Sequence, residues 1–466
     1  DNVAVYFEDW TLTYEELQQK VNSMGNALRD LGIEAGDRVV VRFPNRPEAI
    51  VSCLAAQKIG AVALPSMKLL RAKELEYIIN NAEASAVVVY DDLLDEVENA
   101  LPELETVDDI IVAERNGIDH NYHSYDGLID DASDELEAHE TERDDLALML
   151  YTSGTTGRPK GAIHTHRNML ATADTYARYC IEPTEDDVFG GNPGDLLEAV
   201  ENHGISVICS IPTGYNQILS RHPDGPDKYD VSSLRLGLSA GEPLTPTTFE
   251  NFKSEYGVDI LDGIGTTEML HIFISHRHDE EIDPNATGYP VPGYECKIID
   301  PDTGEDLERG EPGLLAVRGP TGIEYWDRPE KQIEANKDGW SIPGDIFVQR
   351  EDGRLEYKSR NDDLIISSGY NIPGPEVEAV VEEHESVAEV AVVGSPDDQR
   401  GEVVKAFVVL NDGTSGSDEL VSELQNHVKN TLAPYKYPRK VEFCENLPRT
   451  ETGKIRRTEL REQEHS

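Results

Sequence analysis

Short apolar runs alternate with amphipathic helical patterns through the first two-thirds of the chain, the rhythm of strand–helix–strand units. Residues 13–31 carry apolar positions at helical spacing, and Thr13 with Glu16 three residues later reads as a capping box, so a helix is predicted there. Strand-length runs follow at 37–43, 61–64 and 86–90, with helical patterns at 46–60 and 75–81 between them. This order predicts a mostly parallel sheet covered by helices. Residues 91–145 are acid-rich and weakly patterned and predict peripheral helices and loops, whereas 146–151 and 234–238 predict buried strands. After residue 363 the texture changes. Helices are predicted at 375–384 and 417–432 and strands at 388–393 and 403–410, with the polar turn Asn411-Asp412-Gly413-Thr414 following the second strand. That segment reads as a small α+β domain of roughly 100 residues. No internal repeat or low-complexity tract interrupts the pattern.

The chain has 466 residues, too many for one ordinary core, so two or three packed units are expected. Its 91 acidic against 41 basic residues give a formal charge of −50. Nothing in that balance would neutralise a nucleic-acid backbone or hold a membrane surface. Mean hydropathy is −0.49, but 38% hydrophobic residues in patterned places favour a globular chain over disorder. Acid spread over the whole surface is the composition of a protein working in molar salt, where self-repulsion is screened. Cys53, Cys180, Cys209, Cys296 and Cys444 are scattered without CxxC spacing and predict reduced, mostly buried thiols in a cytoplasmic protein. The longest apolar stretch, 49–65, is broken by Gln57-Lys58 and too short to span a bilayer, and no signal peptide is evident.

The predicted strand at 146–151 runs into Thr152-Ser153-Gly154-Thr155-Thr156-Gly157-Arg158-Pro159-Lys160-Gly161. Glycines, hydroxyls and a lysine this dense leave backbone N–H groups and side-chain donors free to surround phosphate oxygens. A flexible surface turn is the bland alternative. A Walker loop is excluded, because Pro159 and Gly161 stand where it needs Gly and Ser or Thr around the lysine.

This loop resembles the signature of the adenylate-forming enzymes, the superfamily of acyl-CoA synthetases, adenylation domains and luciferases. The family's further motifs follow in order: Ser239-Ala240-Gly241-Glu242, Asp262-Gly263-Ile264-Gly265-Thr266-Thr267-Glu268, Gly344-Asp345, Ser359-Arg360-Asn361-Asp362-Asp363 and Pro448-Arg449-Thr450-Glu451-Thr452-Gly453-Lys454-Ile455. The resemblance implies an α/β fold with a large N-terminal domain, residues 1–361, of parallel or mixed sheets covered by helices. A small C-terminal α+β domain, residues 362–466, would join it by a hinge at Asp362.

Making an acyl adenylate brings a carboxylate up to an α-phosphate, so positive charge is needed where these anions meet. The resemblance assigns that task to Lys454, with Thr267 contacting the α-phosphate and Glu268 binding Mg²⁺. By the same resemblance Thr152, Ser153, Gly154, Thr155, Thr156, Gly157 and Lys160 would cradle the phosphates. Gly241, Glu242, Asp262, Gly263 and Ile264 would frame the adenine, Asp345 and Arg360 would hold the ribose, and Gly369 would line the pantetheine path. His164 and His166 are expected to pack at a helix start without a catalytic role. The string Thr267-Glu268-Met269-Leu270-His271-Ile272-Phe273 resembles the benzoate and 2-aminobenzoate CoA ligases, in which Gly265, His271 and Ile272 would line the acyl pocket. A buried strand with a satisfied histidine is the alternative there. The expected cofactors and partners are ATP, Mg²⁺, CoA and a small carboxylic acid, with free CoA preferred as acceptor because no carrier-protein site follows the small domain. A homodimer is the assembly considered.

Two departures qualify the resemblance. Between Gly190-Gly191-Asn192-Pro193 and Gly194-Asp195-Leu196 the chain is short by a helix and a strand, roughly 30–40 residues at ordinary element lengths. Those elements would form one wall of the acyl pocket. Pro343 also stands where relatives usually have Thr, removing a hydroxyl and an N–H donor. Two rival readings remain, and a third fails. A serine hydrolase would use Gly237-Leu238-Ser239-Ala240-Gly241 with His271 or His384 and Asp262. A dinucleotide site fails, because Glu268 replaces the third glycine after Gly263 and Gly265. A non-catalytic nucleotide-binding remnant of the family is the alternative from another class.

Overall fold

The computed structural model describes residues 2–8, 10–113, 122–152, 159–191, 196–322, 324–328, 336–361, 364–367, 370–397, 400–432, 434–449 and 453–464. The chain divides into two compact units. One comprises Asp1–Ala173, Thr267–Leu270 and Pro320–Asn336, and the other Asp174–Thr266, His271–Gly319 and Lys337–Ser466.

The first unit is built on a 7-stranded sheet ordered His123–Ser124, Asp109–Ala113, Ala84–Tyr90, Arg38–Arg42, Val62–Pro65, Leu146–Thr152 and Lys160–Thr165. Neighbours run parallel except the last strand, which is antiparallel. Alternation sends Val39 and Val41 into one core with Ala86 and Val88, and Val40 into another with Val87 and Val89. Both faces are therefore buried, which is why these strands read as unbroken apolar runs. The helix Tyr14–Asp30 carries the predicted capping box at Thr13 and Glu16. The helix predicted at 75–81 extends over Ala72–Ala82. The acid-rich stretch 91–145 is not merely peripheral, because Asp109–Ala113 and His123–Ser124 extend the sheet. The buried run Ile110-Ile111-Val112-Ala113 was hidden by its acidic flanks.

In the second unit a 6-stranded sheet runs Phe189–Gly190, Val207–Ser210, Leu236–Ala240, Ile260–Gly265, Ile272–Ser275 and Tyr289–Pro290. The first four strands are parallel and the last two antiparallel to their neighbours. Its core is aromatic. Phe252 is 0% exposed, stacks on Tyr256 at 4.7 Å and meets Tyr215 edge-on at 4.9 Å. Phe252→Ala is expected to cost about 3–5 kcal/mol, read from the midpoint of chemical denaturation. A shift below 1 kcal/mol would show that this core can collapse around the lost ring.

An antiparallel sheet follows, in which Asp345–Gln349 pairs with Leu355–Arg360. The last sheet pairs Val387–Asp397 with Gly401–Leu410, places Lys440–Phe443 parallel to the latter, and packs against the helices Gly374–Glu382 and Asp418–Thr431. All five cysteines are free thiols, of which Cys180 is buried as expected, whereas Cys53, Cys296 and Cys444 are only half-buried. Cys209 departs from that expectation and is exposed. The parallel pairing with its edge neighbour Phe189–Gly190 ends at Ile208, one residue before it. No helix among the described residues is long and apolar enough to cross a membrane.

Candidate active site

In the first unit the strands that flank the 152–161 motif run antiparallel, with Thr152 directly opposite Lys160. Ser153, Gly154, Thr155, Thr156 and Gly157 lie outside the described residues, as do Asp362 and Gly369. Lys160 Nζ stands 4.8 Å from the centre of the Tyr325 ring, and the Tyr325 hydroxyl donates to Glu268 Oε1 at 2.7 Å. One buried tyrosine thus links the loop lysine to the acidic end of the Thr267-Glu268 motif. Tyr325 is only 7% exposed, and burial beside Glu268 raises its phenol well above the ordinary range, so it remains a donor. Thr267 and Glu268 open a short 3₁₀ turn, Thr267–Met269. The Thr267 carbonyl accepts a hydrogen bond from His164 Nε2 at 2.9 Å. His164 does not lie at the helix start but on the strand Lys160–Thr165, and the helix His166–Thr172 begins at His166. Burial lowers its pKa, so a neutral ring braces this turn. Leu270, which closes it, adopts the left-handed region at φ 69°, a cost that packing against the first unit's core offsets.

The second unit carries the remaining residues. Asp262 sits on Ile260–Gly265 with its Oδ1 buried, although the residue keeps some exposed surface. Desolvation raises its carboxyl to about 7, against the opposing pull of the Ser239 hydroxyl and the Gly263 N–H. Ser239 itself is 1% exposed and points no nucleophile at solvent, which removes the basis of the hydrolase reading. At Gly265 a Cβ would come within 2.6 Å of the His271 carbonyl, so only glycine lets the returning strand Ile272–Ser275 approach this closely. Ile272 packs over Gly263, and Ile264 is half-buried on the same strand.

His271 Nε2 lies 3.0 Å from Thr175 Oγ1, between the rings of Tyr176 and Tyr294 at 6.2 and 5.6 Å. Thr175 and Tyr176 come from the π-helical segment Ala173–Ile181. Such widened turns recur at functional sites. Asp345 is 4% exposed and directly opposite Arg360, whose Nη1 is 3.3 and 3.4 Å from its two carboxylate oxygens. Gly241 has φ 92°, and a Cβ there would come within 3.1 Å of Lys454 Cε and 3.3 Å of Nζ. The lysine therefore rests against the backbone that precedes Glu242.

Tyr325, Thr175, Tyr176 and Tyr294 do not stand out in the sequence. Each lies far along the chain from its partner, and only the π-helical distortion marks two of them locally.

Residues 1–191 and 189–325 match the AMP-binding enzyme family, and residues 376–454 match the AMP-binding enzyme C-terminal domain. The uncharacterized acyl–CoA ligase YtcI of Bacillus subtilis (strain 168) is 38% identical over 491 residues, covering 98% of this chain and 91% of that protein. Benzoate–CoA ligase of Thauera aromatica is 36% identical over 492 residues, covering 98% of this chain and 92% of that protein. Among solved structures, anthranilate CoA ligase AuaEII in complex with anthranoyl-AMP matches with a TM-score of 0.94 at 31% identity, over 100% of this chain and 94% of that one. The chain belongs to the AMP-binding enzymes, the adenylate-forming acyl-CoA synthetase superfamily. It is an AMP-forming CoA ligase that uses ATP and CoA, and within the superfamily it resembles the benzoate and aminobenzoate CoA ligases. The family match breaks at 189–191, and its alignment with the Bacillus protein spans 491 positions against 466 residues here.

Proposed function

We infer that the chain activates an aromatic carboxylic acid, 2-aminobenzoate or benzoate, as its acyl-AMP and then transfers the acyl group to CoA. The observation that carries the adenylation reading is Lys454 docked against Gly241, in the unit that also holds the Asp345–Arg360 pair. In the first step a carboxylate oxygen attacks the α-phosphorus of ATP and pyrophosphate leaves. Lys454 would bridge the carboxylate and α-phosphate oxygens, and Thr267 would donate to the latter. Asp345, paired with Arg360, would accept from the ribose hydroxyls. Asp262, Gly263 and Ile264 would receive the adenine on an aliphatic face. Among the described residues no three His, Cys, Asp or Glu side chains cluster to hold a metal unaided. A single carboxylate with phosphate oxygens suits Mg²⁺, so Glu268 would hold the ion that enters with ATP, and the ion would supply charge neutralisation at the phosphates.

The aromatic assignment rests on the apolar surroundings of His271, with Ile272, Tyr176 and Tyr294, and on the relatives' names. A flat acid with one polar substituent suits an apolar slot containing a single imidazole. Residues 362–466 would rotate about Asp362 between the two steps, bringing the Gly369 segment to the pantetheine arm. The acidic composition predicts that activity needs concentrated salt.

The test is acid-dependent exchange of pyrophosphate into ATP, in molar KCl with Mg²⁺, across benzoate, 2-aminobenzoate, phenylacetate and short fatty acids. Exchange driven by one aromatic acid is the expected result. The broken family match and Pro343 favour the second reading, a chain that has lost a pocket wall and turnover with it. ATP binding without exchange by any acid would establish that reading instead.

A further inference from the structure

Arg449 lies in the motif that carries Lys454, and its guanidinium makes three connections. Nη1 donates to the Gly453 carbonyl at 2.6 Å and to Thr213 Oγ1 at 3.2 Å, while Nη2 donates to Glu389 Oε2 at 2.6 Å. The motif is closed at its base, where Arg449 bridges Ile455 and the Arg456 N–H donates to the Pro448 carbonyl at 2.8 Å. Arg449 therefore reaches across its own turn to the peptide immediately before Lys454. Thr213, near the start of the helix Pro212–Arg221, donates in turn to Glu242 Oε2 at 2.8 Å, reinforced by its N–H at 3.3 Å. Glu242 follows Gly241, the residue against which Lys454 rests. A Cβ on Gly453 would meet Ile211 Cδ1 at 3.2 Å, so the turn and this helix are in van der Waals range.

We propose that Arg449 is the positioning residue of the adenylation step, holding the Lys454 turn through a catch made with Thr213 and Glu242. The inference rests on the role assigned to Lys454 above. Gly241 receives the lysine and the carboxylate of the adjacent Glu242 anchors the catch, so the lysine is placed by contacts on both of its sides. Arg449 touches no reacting atom. Its contribution is geometric, and misplacing a reacting group by about 1 Å costs on the order of 10²-fold in rate. The catch also has to open whenever residues 362–466 leave this position, so it belongs to adenylation alone.

Two readouts test it. In Arg449→Met, pyrophosphate exchange should fall about 10- to 100-fold in kcat with little change in KM for ATP or acid. Thioester formation from supplied acyl-AMP and CoA should stay within about twofold of wild type. Arg449→Lys should restore part of the exchange by donating to Gly453, and Thr213→Val should lose a smaller share. Equal loss of both half-reactions, or unchanged exchange, would overturn the proposal. The second readout needs no turnover. Trypsin cleavage after Lys454, followed by mass spectrometry in the absence of substrates, should be about tenfold faster in Arg449→Met and Thr213→Val than in the parent, at unchanged melting temperature. Equal cleavage rates would overturn the catch even if the parent catalysed no exchange, whereas absent exchange with intact protection would count against the functional reading alone.

Discussion

Lys454→Ala is expected to lower acid-dependent pyrophosphate exchange by about 10²- to 10³-fold while thioester formation from supplied acyl-AMP remains close to wild type. The magnitude is that of removing one well-placed charge-stabilising group from a site where two anions meet. Alanine deletes the ammonium but leaves the turn and its Arg449 anchor in place, so the loss reports the charge and not the fold. The asymmetry follows from the chemistry. Thiol attack on a preformed adenylate expels AMP and brings no carboxylate against a triphosphate, so it does not require this cation. Parallel measurement of both half-reactions with purified acyl-AMP settles the point. If both fell equally, Lys454 would be acting in substrate binding or domain structure common to the two steps.

The second large effect concerns stability. Burial holds the Asp262 carboxyl at about 7 in the folded protein, against an ordinary value of 3.8. Between those values the folded state binds a proton that the unfolded chain has released, so stability falls as pH rises through this window and levels off above it. Tyr176 and Tyr215 face the same carboxyl, and burial raises both phenols, so neither titrates in that range. Each pH unit crossed within the window removes about 1.4 kcal/mol. Asp262→Asn should therefore gain about 2 kcal/mol more relative to wild type at pH 8 than at pH 5.5. Urea denaturation of both proteins at the two pH values, at one fixed KCl concentration, measures this double difference. A difference independent of pH would mean that Asp262 ionises normally, with water reaching its buried oxygen.

Much of the architecture could be read from local pattern because local chemistry decides it. Thr13 and Glu16 cap their helix through atoms three residues apart, and the apolar runs at 37–43 and 86–90 are strands because both faces are covered. Pattern failed at Asp109–Ala113, where acidic neighbours masked a buried run. The motif residues were legible through the family resemblance, which places Asp345 and Arg360, and they stand directly opposite each other across two strands. What surrounds them was not. Tyr325 reaches Glu268 across 57 residues, Thr175 reaches His271 across 96, and Arg449 reaches Thr213 across 236. Periodicity within a window of one or two turns carries no trace of such pairs. The expectation of His164 at a helix start fails for a related reason. Its neighbour His166 opens the helix, while its own ring is claimed by the Thr267 carbonyl 103 residues away.

The division of the chain bears on how the protein is made. The first unit takes in Thr267–Leu270 and Pro320–Asn336 as well as Asp1–Ala173, and Tyr325 bridges Ala162 on the edge strand Lys160–Thr165. A ribosome that has translated Ala173 has therefore delivered the sheet without its last pieces. At 5–20 residues per second, roughly 10–30 s pass before residue 336 is made. Throughout that interval the edge at Lys160–Thr165 lacks the tyrosine that later bridges it, and an uncapped edge is a template for wrong pairing. Newly made chains should thus depend on holding factors during translation of residues 174–336, and a fragment ending at Ala173 should aggregate although it carries every strand of its sheet.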